Sequence, residues 1–249
     1  MDFTGKKVIV TGATRGIGYA TAEAFLLAGA RVAVNGRTQS SVDAAMATLA
    51  GNTVSAPGDI SKAEVCQAMV TQAVEALGGL DVLVTNAGVF FRGTIEETDE
   101  AAWDYVLDAN LKGLFFCSRA ALPALKASKG NIVHVASESG LNGYAETTAY
   151  CASKGAVVNL TRSMAIELAP DVRVNCVCPG AVETDMARAG FAINGDEEAG
   201  LDRQRSQYPV GRIGTPEEIA KAILYLASED AGFINAAALP MEGGATAGG

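Results

Sequence analysis

The chain has 249 residues, 49% of them hydrophobic, with 19 Lys and Arg against 28 Asp and Glu. That is long enough to bury a core in one domain covering 1–249, and too acidic for a surface built to hold nucleic acid or an anionic membrane. No apolar run approaches the ~18–20 residues that cross a bilayer, and Met1–Lys7 holds no signal-peptide core, so a cytoplasmic protein handling small molecules is expected.

Short β-branched runs alternate with longer helical patterns. Lys7–Thr11 precedes a helix at Gly16–Ala28, Arg31–Asn35 precedes Ser40–Leu49, and Thr53–Ala56 precedes Lys62–Leu77. Asp81–Thr85 is followed by one long helix at Glu100–Ala127, then Asn131–Ala136 by Ala149–Leu168. Val172–Val177, a helix at Pro216–Ala227 and a last strand near Ala238–Met241 complete the series. The repeated β-α order predicts an α/β fold with a doubly wound parallel sheet of about seven strands, helices covering both faces. Continuously apolar strands such as Val8-Ile9-Val10 fit a sheet buried on two sides. The polar segment 183–212 breaks the rhythm and reads as a mobile flap, and a small Gly/Ala tail runs from Ala245 to Gly249.

The five cysteines, Cys66, Cys117, Cys151, Cys176 and Cys178, are scattered and odd in number, which suits small apolar residues in a reducing compartment. Cys176-x-Cys178 has no second Cys or His pair nearby, so no metal site is expected. The sole histidine, His134, lies within a strand and reads as a satisfied core residue. Ser137 and Ser139 lack a Gly-x-Ser-x-Gly elbow, and a hydrolase is therefore excluded.

After the first strand comes Thr11-Gly12-Ala13-Thr14-Arg15-Gly16-Ile17-Gly18, a glycine turn that lets backbone N–H groups and a helix N-terminus approach a pyrophosphate. Tyr150 and Lys154 are four residues apart, hence on one helical face, where an ammonium is expected to lower the pKa of the phenol.

Together with Asn86-Ala87-Gly88 after the fourth strand, these motifs make the chain resemble the short-chain dehydrogenase/reductase family over essentially its full length. The resemblance implies a Rossmann-like fold and an NAD(P)-dependent interconversion of a carbonyl and a secondary alcohol. Ser137, Tyr150 and Lys154 would be the catalytic set: Tyr150 moves the proton, Ser137 holds the reacting oxygen, and Lys154 lowers the phenol pKa and holds the nicotinamide ribose. Asn110 completes that set by holding a water that links Lys154 to solvent; it would equally bond a backbone carbonyl across a helix kink, and the two roles are compatible. Gly12, Thr14, Arg15, Gly16, Ile17 and Gly18 would cradle the cofactor. Asp59 and Ile60 would meet its adenine, and Asn86, Ala87 and Gly88 would lie beneath it. Pro179, Gly180, Val182 and Thr184 would face its nicotinamide side, alongside Tyr150 and Lys154.

Gly36 stands where NAD-preferring relatives place an acid, and Arg37 follows it, with Arg15 near. That favours NADP(H) over NAD(H), unless Arg37 is only a solvated loop residue. Phe90, Phe91, Arg92, Glu138, Ser139, Asn142 and Tyr144 suggest a pocket for a compact, sugar-like or alicyclic hydroxylated substrate. The alternative is a 3-oxoacyl-thioester reductase whose acidic carrier docks on Lys126, Lys129, Arg162 and Arg173; a non-catalytic dinucleotide-binding regulator is more distant. The resemblance also implies a homotetramer or homodimer. Near the C-terminus, Ile234-Asn235-Ala236 and Met241-Glu242-Gly243-Gly244 depart from the family's usual ending.

Overall fold

Seven parallel strands form one sheet: β1 (Lys7–Val10), β2 (Arg31–Gly36), β3 (Thr53–Pro57), β4 (Val82–Thr85), β5 (Asn131–Val135), β6 (Arg173–Pro179) and β7 (Ala238–Met241). Their spatial order is β3-β2-β1-β4-β5-β6-β7. This computed structural model describes residues 1–247, so Gly248 and Gly249 of the tail lie outside the described residues.

Alternation along each strand divides the core. Val8, Val10, Val32, Val34 and Val84 pack beneath α1 (Gly16–Leu27), α2 (Gln39–Met46) and α9 (Pro216–Ala227). Ile9, Ala33, Leu83 and Ile132 pack on the other face beneath α3 (Ala63–Leu77), α5 (Gly113–Ser128) and α6 (Thr148–Leu168). The connection order reverses between β1 and β4, so the loops leaving their carboxyl ends diverge and open a crevice.

Two segments differ from the sequence reading. The expected helix Glu100–Ala127 is divided into α4 (Glu100–Leu107), a wider π turn at Asp108–Lys112, and α5. The π turn carries Asn110, which is buried and bonded to another loop. Within 183–212, two short helices form, α7 (Asp185–Phe191) and α8 (Glu197–Gln207). Their N-termini are capped by Thr184 and Asp196, whose side chains accept from the N–H groups of Ala187 and Ala199. Arg188 bridges Glu183 and Glu198, and Arg205 also binds Glu198, so charge pairs tie these helices together.

Candidate active site

The turn after β1 approaches its neighbours closely. Gly12 takes φ +62°, and a Cβ there would lie 2.8 Å from Ala87 Cα. At Gly18 a Cβ would collide with the Gly12 carbonyl oxygen and Asn86 Nδ2. Asn86 fixes this arrangement by donating from Nδ2 to the carbonyls of Thr11 (3.0 Å) and Gly12 (3.1 Å). Asn35 braces it from the other side, accepting from Gly12 N–H at 3.1 Å and donating to Ala56 O at 2.8 Å. Sequence reasoning missed Asn35, although a polar residue ending an apolar strand was the available signal. Arg15 is the N-cap of α1 but makes no side-chain cap, so the first N–H groups of that helix remain available to an anion.

Ser137 leaves β5 at the start of a single 3₁₀ turn, Glu138–Gly140, and its Oγ accepts from Ser139 N–H at 3.1 Å. Tyr150 and Lys154 project from the first turns of α6. The Lys154 ammonium is buried, donates to Val135 O at 2.9 Å and lies 5.7 Å from the centroid of the Tyr150 ring.

The expected lowering of the phenol pKa is not what this geometry produces. Burial pushes Tyr150 up to about 12, against the pull of the Ser137 hydroxyl, and the charge of Glu138 adds to the rise. Burial brings Lys154 down to about 8. Desolvation is the largest cause of both shifts.

Asn110 Oδ1 accepts from Val89 N–H at 2.7 Å, and its Nδ2 donates to Val89 O at 3.0 Å and Ser153 Oγ at 3.1 Å. Both ends of the amide are thus engaged by protein. The reading of a helix Asn bonding a backbone carbonyl fits this geometry and is compatible with the expected water relay. His134 is fully buried, pairs through Nδ1 with Thr85 Oγ1 at 2.6 Å, and is brought down to about 3 by burial. Its Nε2 has no partner among the described residues, so it is only half satisfied. All five cysteines are free thiols.

A single cleft of about 1610 Å³ joins the glycine turn to the Ser137–Tyr150 pair. Every expected catalytic and cofactor-binding residue lines it except Gly18, which packs beneath the turn, and Asn110, which sits behind Val89. Asn142, expected on the wall, does not line the cleft, whereas Tyr208, which the sequence did not single out, does. One wall is apolar: Phe90 meets the Tyr150 ring edge-on at 5.0 Å and Phe191 at 6.0 Å. The cleft is also lined by Glu138, Tyr144 and the Arg92–Glu146 ion pair.

A family model described as enoyl-(acyl carrier protein) reductase matches residues 12–246. Meso-2,3-butanediol dehydrogenase of Serratia marcescens is 41% identical over 249 residues, covering 99% of this chain and 97% of that protein. The chain belongs to the short-chain dehydrogenase/reductase family. 2-(S)-hydroxypropyl-CoM dehydrogenase 3 of Xanthobacter autotrophicus is likewise 41% identical, covering 96% of each chain. The crystal structure of levodione reductase superposes with a TM-score of 0.95 at 28% identity, covering 99% of this chain and 100% of that one. As a short-chain dehydrogenase/reductase the chain is an oxidoreductase of CH–OH groups that works with a nicotinamide dinucleotide. Among the described residues no helix is long and apolar enough to cross a membrane.

Proposed function

We propose that this short-chain dehydrogenase/reductase is a cytoplasmic, NADPH-preferring enzyme that interconverts a carbonyl and a secondary alcohol on a compact hydroxylated substrate. The convergence of Ser137, Tyr150 and Lys154 at one end of a cleft whose other end is the glycine turn carries this reading.

The residues fit the dinucleotide. Gly12 allows close backbone approach, the start of α1 offers uncapped N–H groups, and Asn86 and Asn35 hold the turn rigid. When bound, the nicotinamide supplies or accepts the hydride. Tyr150, kept protonated by burial, holds the proton destined for the carbonyl oxygen and takes it back in oxidation. Ser137 Oγ donates to that same oxygen as charge develops on it. Lys154 is mostly charged at neutral pH, faces the phenol ring, and steadies the phenolate left by proton transfer. Turned from Val135 O, it would hold the nicotinamide ribose. Asn110 positions Val89 and Ser153, and through them the wall beside Lys154.

Cofactor preference rests on position 36. A Cβ on Gly36 would collide with Thr14 Cγ2 and lie 3.0 Å from Ser41 Oγ, so the packing has no space for an acid. Arg37 is 66% exposed beside the cleft and lies 3.9 Å from Asp59, a weak hold that a 2′-phosphate can replace. Fluorescence titration with NADPH and NADH tests this: tenfold tighter NADPH binding, about 1.4 kcal/mol, is expected, and a preference for NADH would overturn it.

The mixed wall supports a small substrate with both carbon and hydroxyl faces. Arg173, one candidate for docking an acidic carrier, instead donates to the carbonyls of Leu226, Ile234 and Ser228. Activity that climbed with acyl-chain length on thioesters would favour the carrier-linked alternative. Exposed Trp103, Phe115 and Ile166 on α4, α5 and α6 support a homotetramer or homodimer.

A further inference from the structure

Glu146 holds a backbone conformation that few side chains adopt. Its φ is +62°, in the left-handed region, and it lies just ahead of α6 rather than at a helix C-terminus. Such a conformation is costly and persists only where the surroundings impose it. Contacts from the segment 89–93 impose it here. Arg92 Nε donates to Glu146 Oε2 at 2.7 Å, and Arg92 Nη2 lies 2.5 Å from the same oxygen. Gly93 N–H donates to the Glu146 carbonyl at 2.8 Å, and Gly93 forms a parallel bridge with Thr147. Neither Arg92 nor Glu146 pairs with another charge among the described residues.

The segment 89–93 has two anchors. Asn110 holds the N–H and the carbonyl of Val89 at one end, and Glu146 holds Arg92 and Gly93 at the other. Between them Phe90 packs on the Tyr150 ring. The start of α6 depends on the second anchor, because its N-cap, Thr147, makes no side-chain cap and donates its hydroxyl back to Tyr144 O at 3.0 Å. Tyr150 follows within the first turn of that helix, so a shift of the chain at Glu146 is carried directly to the phenol. Both charged side chains line the cleft and are about half exposed, which leaves the pair open to screening by salt.

We propose that Arg92 and Glu146 are positioning residues for proton transfer: their ion pair clamps the segment 89–93 to the residues that begin α6 and so fixes the Tyr150 hydroxyl against the reacting oxygen. A charge-assisted hydrogen bond suits this task, since it sets direction as well as distance between two loops. This assignment rests on the reading of Tyr150 as the proton carrier and deepens it.

The test follows reduction of 2,3-butanedione and 1,2-cyclohexanedione by NADPH and NADH. Arg92→Gln and Glu146→Gln should each lower kcat by roughly 10- to 100-fold, the scale on which misplacement of a reacting group is felt. Dinucleotide affinity by fluorescence titration and the thermal midpoint should stay near those of the unaltered enzyme. The double variant should be no slower than either single one, and the reversed pair, Arg92→Glu with Glu146→Arg, should recover much of the loss. Salt at about 0.5 M should slow the unaltered enzyme and leave the Gln variants as they are. Glu146→Gly, which takes a positive φ without strain, separates the pair from the backbone, and it too should lose kcat. Near-normal kcat in the single variants, or losses that multiply in the double one, would overturn the positioning role while leaving the oxidoreductase reading intact. Turnover of neither dione by the unaltered enzyme with either cofactor would overturn the underlying reading and this assignment together.

Discussion

Lys154 stands 5.7 Å from the centroid of the Tyr150 ring, yet its hydrogen bond goes to Val135 O. The phenol is governed by burial and stays in its acid form well past neutral pH, at about 12. Tyr150→Phe should abolish turnover, by at least ~10²–10⁴-fold for loss of a proton donor, while cofactor affinity by fluorescence titration stays within a few-fold. A variant with near-normal turnover would exclude Tyr150 as the proton carrier.

Lys154 carries a second consequence, in stability. Its pKa falls from 10.5 to about 8 on folding, so between those values the unfolded chain binds more protons than the folded one. Stability contributed at this position should therefore rise as pH increases from 8 towards 10.5. Denaturant midpoints across that window, measured for the native chain and Lys154→Met, should converge or cross as pH rises if Lys154 is the source.

His134 works in the same sense at lower pH. With the folded value near 3 against an ordinary 6.5, the unfolded state takes up a proton first as pH falls, and stability drops from 6.5 downward. His134→Gln should flatten the urea midpoint between pH 6.5 and 4, where the native chain loses on the order of a few kcal/mol. An unchanged slope would place the acid sensitivity elsewhere.

Asn110→Ala leaves the Val89 N–H without its acceptor inside the protein. A loss of about 1–3 kcal/mol in unfolding free energy is expected, with kcat falling because Val89 borders the cleft. Thermal and urea unfolding give the first quantity, and steady-state rates the second.

Gly18→Ala drives a methyl into the Gly12 carbonyl and Asn86 Nδ2. Relief requires the glycine turn to shift, so dinucleotide affinity should fall by at least tenfold, with an overpacking cost of about 1–3 kcal/mol in stability. Normal affinity would mean that the turn tolerates displacement.

The amino-acid sequence by itself determined the alternation of strands and helices, the glycine turn, and the placing of Tyr150 and Lys154 on one face. Each depends on residues within a few positions of one another, where helical and strand periods dictate direction. Local pattern could not reveal α7, which is only seven residues long, or α8, which is mostly polar, nor the π turn that interrupts the helix pattern at Asn110. Tertiary structure alone decided that Asn110 serves Val89 and Ser153, and that Tyr208 reaches Glu138 across 70 residues of chain. It also decided the direction of the Tyr150 shift. Spacing brings an ammonium near a phenol, but desolvation comes from everything packed around the pair, and that is set by segments far apart in the chain.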